Sequence, residues 1–339
     1  MTEQALLEAA RTGDEDAFAR LVSSHRSALE AHCYRMLGSV ADAEDAMQDA
    51  LLRAWRGLGS FEGRSSLSSW LYRIATNACL RMIERRPKRV LPIDYGPPAD
   101  PHESIEAPLV ESVWIEPYPD ERLGLADGFA APEARYEQRE SVELAFIAAL
   151  QHLPPRQRAV LILRDVLGFS ADEVAEALDS TTTSVYSALQ RAHKVVDERL
   201  PERSQQETLR SLEDDQIREL VEGYVDAWER ADVDAVVAML AEDVSIAMPP
   251  TPTWFRGRAE LDQFLRDRPL SGRLRWRGIP IRANGQLGVG FYVWDEASDG
   301  YIPHGVSVLT LRGDKVAGID AFITPDAIEV FGLPAKLAA

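Results

Sequence analysis

Apolar residues recur at the helical period from residue 3 to about 85 and again from 153 to 200, and give way to strand-like runs only after residue 274. The first stretch predicts four helices. Residues 3–11 make a short amphipathic one. Residues 15–36 make the second, with Phe18, Leu21, Val22, Leu29 and Cys33 inward, and Gly38-Ser39 breaks it. Residues 41–58 carry Ala46, Met47, Ala50, Leu51 and Ala54 as a buried stripe. The other side of that helix shows Asp45, Gln48, Asp49 and Leu52 at i, i+3, i+4 and i+7. An acidic row with one leucine is either a solvated face or a protein-docking face. Residues 66–85 form the fourth helix, with Leu67, Leu71, Ile74, Ala75, Ala78 and Met82 inward and Ser69, Arg73, Thr76, Asn77 and Arg81 outward. The loop before it, "GLGSFEGRSSL", has glycines for freedom and Phe61, Arg64, Ser65 and Ser66 as groups that can bind.

Residues 153–200 predict three more helices. The first starts after Pro154-Pro155 and stops at Gly168. Ser170, with Glu173 three residues on, is a capping-box start for the second. A tight turn through Asp179 leads to the third, which Thr181, Thr182 or Thr183 can cap. Its apolar side is Val185, Leu189, Ala192 and Val196. Its polar side carries Thr183, Ser184, Tyr186, Ser187, Gln190, Arg191 and Lys194. The last two helices have helix-turn-helix spacing, in which the second helix lies in the DNA major groove. Periodicity alone leaves a plain three-helix segment equally open.

Residues 204–333 place helices before strands. Residues 215–230 and 233–240 read as helices, 243–250 as a strand, and a third helix follows Gly257. Four strands are expected at 274–282, 286–295, 303–311 and 315–323, with Asn284-Gly285 and Gly313-Asp314 as hairpin turns. That order predicts an α+β domain. Residues 89–135 are proline-rich, acidic and aperiodic, and read as an extended or disordered linker. Val113, Trp114, Ile115, Pro117 and Tyr118 are too apolar for a plain spacer.

Charge changes this picture in one respect. The 339 residues carry a formal charge of -18, so the chain as a whole would repel nucleic acid. Only the first 90 residues escape the acidic excess, with arginines gathered at Arg81, Arg85, Arg86 and Arg89. Contact with DNA must therefore be local or assisted by a partner. Two cysteines, Cys33 and Cys79, cannot build a disulfide framework or a metal cluster, and they read as core residues. No cofactor and no metal is expected. There is no membrane-length apolar run and no signal-peptide pattern, which points to the cytoplasm.

Three segments in register, "ADAEDAMQDALLRAW", "FEGRSSLSSWLYRIATNACLRMIERR" and "LPPRQRAVLILRDVLGFSADEVAEAL", resemble the extracytoplasmic-function sigma factors of RNA polymerase. The resemblance implies two all-α domains, sigma region 2 at residues 1–88 and a region 4 helix-turn-helix at 136–200, joined by the linker. It implies that Asp45, Gln48, Asp49 and Leu52 grip the clamp helices of the polymerase β′ subunit, and that the β flap is a further partner. It assigns melting and reading of the −10 promoter element to Phe61, Arg64, Ser65, Ser66, Arg73, Asn77 and Arg81, the loop capturing an unstacked base. Trp70 fits either an aromatic of that reader or the core. Reading of the −35 element falls to the polar side of the last helix. The family usually has basic residues where Tyr186 and Ala188 stand, so reading there leans on Ser187, Gln190 and Arg191. In such proteins the linker runs through the polymerase interior; packing of Trp114 on the C-terminal domain is the alternative.

The segment "YVDAWERADVDAVVAMLAEDVSIAMPP…WFRGRAELDQFL" resembles the SnoaL-like polyketide cyclases, which have the cone-shaped fold of nuclear transport factor 2. Met248, Trp254, Phe255, Trp276, Tyr292, Trp294, His304 and Phe322 are the candidate pocket, and His304 with Asp320 the one acid/base pair in view. The reading favoured is a non-enzymatic promoter-recognition subunit regulated in cis by its C-terminal domain, in which a small-molecule ligand is conceivable. The alternatives are a ligand-sensing DNA-binding regulator and a small-molecule isomerase or cyclase.

Overall fold

The computed structural model describes residues 2–63, 65–109, 113–123 and 138–338. The chain divides into two compact units, Met1–Lys88 with Arg122–Leu200, and Arg89–Glu121 with Pro201–Ala339.

The first unit is helical. Its first half holds α1 (Glu3–Arg11), α2 (Glu15–Ser23), α3 (Arg26–Leu37), α4 (Val40–Gly57) and α5 (Leu67–Ile83). Side-chain caps start four of these: Thr2, Asp14, Ser39 and Ser66 each accept from the backbone N–H three residues on. The single helix expected at 15–36 is two. The His25 amide closes back on the Val22 carbonyl and ends α2. Serine and histidine at 23–25 are weak helix formers, so apolar periodicity ran across a break it could not sense. Gly38 ends α3 in the left-handed region at φ 69°, with the Gln151 side chain 3.2 Å from where a Cβ would stand. The core joins Leu29, Cys33 and Met36 of α3, Ala46 and Ala50 of α4, and Leu71, Ala75 and Cys79 of α5. Thr76, expected outward, is fully buried and hydrogen-bonds His32 Nε2 at 2.8 Å. Burial, then the Arg35 charge, pushes His32 down to about 3, so it stays neutral.

The second half holds α6 (Leu144–Gln151), α7 (Pro155–Leu161) with a π turn at Ile162–Val166, α8 (Ala171–Ala177) and α9 (Thr182–Asp197). The Ser170–Glu173 capping box starts α8, and Thr181 caps α9. Asp179 makes the turn between them at φ 47°. This half packs on the first through two buried arginines. Arg35 donates to the Ser141 carbonyl at 3.1 Å and hydroxyl at 2.8 Å. Arg158 donates to Gln151 Oε1 at 2.5 Å and to the carbonyls of Met36, Gln151 and Leu153. Among the described residues no carboxylate answers Arg158, and burial pulls it down to about 10.

The second unit is built on a six-stranded sheet in the order β2-β1-β6-β5-β4-β3. The strands are β1 (Leu240–Ala247), β2 (Trp254–Arg256), β3 (Trp276–Ala283), β4 (Gln286–Asp295), β5 (Gly300–Arg312) and β6 (Lys315–Phe322). Only the β1–β6 pairing is parallel. The helices are α10 (Gln205–Arg210), α11 (Asp214–Glu229), α12 (Val233–Ala238), α13 (Arg258–Asp267) and α14 (Asp326–Val330). Tyr224 and Trp228 of α11 pack with Trp276 and Phe291 of the sheet, Trp228 and Phe291 at 4.8 Å. The sequence reading missed α10, whose Gln205 amide both donates to the Leu311 carbonyl at 2.9 Å and accepts from its N–H at 2.7 Å.

The segment expected as a disordered linker is the largest departure. Its described part straps across the sheet, from the β1–β2 connection to the β3–β4 turn. Ala99 N–H donates to the Trp254 carbonyl at 2.8 Å, the Trp114 indole to the Pro250 carbonyl at 2.8 Å, and Tyr118 N–H to Asn284 Oδ1 at 2.7 Å. Ile115 and Tyr118 are fully buried. Of the two readings of Trp114, the structure has it packed on the C-terminal domain. A few large apolar side chains, each contributing about 1.5–3 kcal/mol when buried, outweigh the disordering composition around them.

Candidate nucleic-acid interface

On α4, Asp45, Gln48 and Leu52 are exposed, Leu52 at 55%. The acids of this row are engaged. Asp49 holds Arg53 at 2.8 Å and Arg81 at 3.1 Å, and the hydrogen bonds from Arg53 hold its carboxyl below the usual range. Asp45 faces Arg86 at 3.6 Å, and Arg86 also pairs with the buried Asp42. Arg81 thus turns toward the acidic row and away from the set expected to touch DNA.

On α5 the structure brings Ser69, Arg73 and Asn77 to one side, each half-buried, with Ser66 exposed as N-cap and Ser65 half-buried before it. Arg64 lies outside the described residues. Phe61, expected as an exposed base-capturing group, is only 7% exposed and packs on Trp70 at 5.0 Å. Arg11 stands 6.0 Å above its ring and donates to its carbonyl. Trp70 is core. Two acids meet this face, Glu173, expected only as a capping-box partner, and Glu176, not singled out in the sequence: Ser69 Oγ donates to Glu173 Oε1 at 3.3 Å, and Arg73 stands 3.8 Å from Glu176. Tyr72 of the same helix meets Phe169 edge-on at 5.4 Å.

On α9, Thr183, Ser184, Tyr186, Gln190, Arg191 and Lys194 are exposed and Ser187 is half-buried, while Val185, Ala192 and Val196 pack inward. Tyr186 is 58% exposed, high for an aromatic side chain.

The C-terminal sheet encloses a cavity of about 70 Å3 whose lining includes Trp228, Met248, Trp276, Phe291, His304 and Phe322. That is about half the roughly 150 Å3 that admits benzene in an engineered cavity. Four of the expected pocket residues are therefore in place and the others are not. The Trp254 indole donates to the Gly96 carbonyl at 2.8 Å, the Tyr292 hydroxyl to the Pro334 carbonyl at 2.8 Å, Phe255 packs on Phe264, and Trp294 on Tyr301. His304 and Asp320 are not a pair. His304 lines the cavity edge-on to Trp276 at 4.9 Å, and burial lowers its pKa. Asp320 lies under the strap, where burial, then the Asp94 carboxylate, pushes it up to about 7.

Comparison with known proteins matches these bodies one by one. Sigma-70 region 2 matches residues 21–89, Sigma-70 region 4 matches 143–194, and a SnoaL-like domain matches 221–328. The chain is 40% identical over 330 residues to the ECF RNA polymerase sigma factor SigG of Mycobacterium tuberculosis, across 96% of this chain and 86% of that one. The chain belongs to the extracytoplasmic-function sigma factors. The ECF RNA polymerase sigma-E factor of Escherichia coli is 29% identical over 200 residues, covering 59% of this chain and 95% of that protein. The crystal structure of the Mycobacterium tuberculosis sigma factor SigJ shares the fold at a TM-score of 0.55 and 23% identity, covering 92% of this chain and 99% of that one. As a sigma factor the protein works with core RNA polymerase and promoter DNA, with a SnoaL-like domain appended. Among the described residues no helix is long and apolar enough to cross a membrane.

Proposed function

We propose that this sigma factor docks on the polymerase β′ clamp through Asp45, Gln48, Asp49 and Leu52, reads the −10 element with Ser66, Arg73 and Asn77, and reads the −35 element with α9. The observation that carries the reading is the exposed polar side of α9 behind a capped turn, the geometry of a major-groove helix. Phe61 joins the −10 set only by leaving its packing on Trp70, a cost that an unstacked base in its place offsets. The region 4 unit also meets the β flap, and the protein acts in the cytoplasm.

The C-terminal domain performs no chemistry in this reading. Its cavity is too small for a polyketide-sized substrate, and His304 has no acid beside it in the cavity lining. Regulation in cis runs through the strap: residues 89–121 belong to the C-terminal unit, so that domain sets how much tether is free between regions 2 and 4. Run-off transcription with purified core tests both halves. Full-length protein initiates from a cognate promoter, and Arg73→Ala with Asn77→Ala loses opening at the −10 element while keeping core binding. A chain ending at Leu200 keeps core binding and changes promoter output; equal output across a truncation series removes the regulatory half.

A further inference from the structure

The chain has two cysteines, 46 positions apart in sequence, and the fold brings them together. Cys33 of α3 and Cys79 of α5 are both closed to solvent in the core of region 2, and their thiols hydrogen-bond each other. A second contact ties the same two helices: Thr76, one turn before Cys79, meets His32, the neighbour of Cys33, at 2.8 Å. Two cysteines are too few for a framework of crosslinks but enough for one bond. A single buried cysteine is a small apolar filler, whereas two in contact can lose two electrons together. We propose that Cys33 and Cys79 are a redox-modification site, a dithiol that a small hydroperoxide such as hydrogen peroxide closes to a disulfide and a thiol reductant reopens. The proposal stands apart from the docking and promoter-reading assignments.

The step balances without a cofactor. One sulfur, as thiolate, attacks an oxygen of the peroxide: the S–O bond forms, the O–O bond breaks, and the other oxygen leaves as water once protonated. The second sulfur attacks the resulting sulfenic acid: the S–S bond forms, the S–O bond breaks, and the oxygen leaves as a second water with the remaining thiol proton. Two thiols lose two electrons and two protons, and the peroxide takes up both. Thiolate is the limiting species. Burial, then the Cys33 thiol, push the Cys79 pKa well above its usual value, while Arg158 pulls against them. When the Cys79 thiolate forms, it faces a buried cation otherwise held by carbonyl oxygens. Oxidation is therefore slow, reaches the pair through local openings of the core, and favours a small oxidant over a bulky one. Once one sulfur is oxidised its partner is already in contact, so the disulfide forms ahead of the sulfinic acid. The bond ties α3 to α5 across a long loop and restricts the unfolded chain.

The test uses the full chain, reduced and folded. Hydrogen peroxide is added and then removed, the protein is unfolded, and free thiols are alkylated before intact-mass measurement. The site predicts a monomer that has lost two hydrogens, takes up no alkyl group and regains both thiols in dithiothreitol. Its unfolding temperature should exceed that of the reduced form by about 5 °C or more. Cys33→Ala and Cys79→Ala each leave one sulfur without a partner, and that sulfur should be alkylated or carry added oxygen. A treated wild-type chain that keeps both thiols, adds oxygen to them or crosslinks to a second chain overturns the site. A disulfide that leaves the unfolding temperature unchanged or lowers it sinks the claim that the bond fits the fold. A bulky aromatic disulfide, applied to the folded chain for the same period, should leave both thiols free. Modification by it as fast as by peroxide would put the reaction in the unfolded chain and remove the fold from the proposal.

Discussion

The molecule has two long-range seams of opposite character. In the helical unit, regions 2 and 4 meet through Arg35, Arg158 and exposed pairs at Glu173 and Glu176. In the C-terminal unit, the strap meets the sheet through Trp114, Ile115, Tyr118 and backbone hydrogen bonds to Pro250, Trp254 and Asn284. Burying a cation costs hydration that opening restores, whereas burying an indole gains free energy that opening forfeits. The first seam rests on buried cations and exposed pairs, the second on buried apolar side chains.

The largest test strikes the permanent seam. Trp114→Ala removes a side chain only 6% exposed and its bond to Pro250, and is expected to cost about 3–5 kcal/mol. Thermal unfolding measures the loss, and proteolysis within residues 89–109 should become rapid. A strap that stays protected breaks the comparison. Arg158→Met comes next, leaving the carbonyls of Met36 and Leu153 unanswered at about 1–3 kcal/mol, with core-dependent transcription retained. A loss as large as that of Trp114→Ala would make the two seams alike.

Asp320 gives a pH test of the strap. Its folded pKa of about 7 lies above the ordinary carboxyl value near 4, so the unfolded chain loses this proton first. Its contribution therefore falls as pH rises from about 4 to 7 and is flat beyond. Asp320→Asn should flatten that slope in pH-dependent melting and raise stability at pH 8. An unaltered slope would mean that Asp320 is not buried in solution as it is in the fold. The smallest effect on stability is at the surface that belongs to neither seam: Leu52→Ala should change unfolding by no more than about 0.5 kcal/mol yet weaken core binding. Equal affinity for core would detach Leu52 from the docking face.

Much of the fold was legible because its signals are local. Ser39, Ser66, Ser170 and Thr181 cap the helices they precede, and the Asn284-Gly285 turn lies where alternation breaks. The polar side of α9 was readable for the same reason, since one helix supplies both its apolar and its polar side. The outward set expected on α5 was less so. Arg81 points to Asp49 and Thr76 to His32, because outward and inward on a helix depend on which neighbours arrive. The pocket fared likewise: Trp254 and Tyr292 bond to chain segments far away in sequence.

Sequence alone determined most of the elements and their order, since caps, glycine turns and hydrophobic periods act within a few residues. Only tertiary structure decided that Phe61 is covered, that Glu173 faces Ser69 across 104 positions, and that an acidic, proline-rich stretch docks as a strap. Those outcomes depend on which surfaces lose water together, and no window of neighbouring residues contains that information.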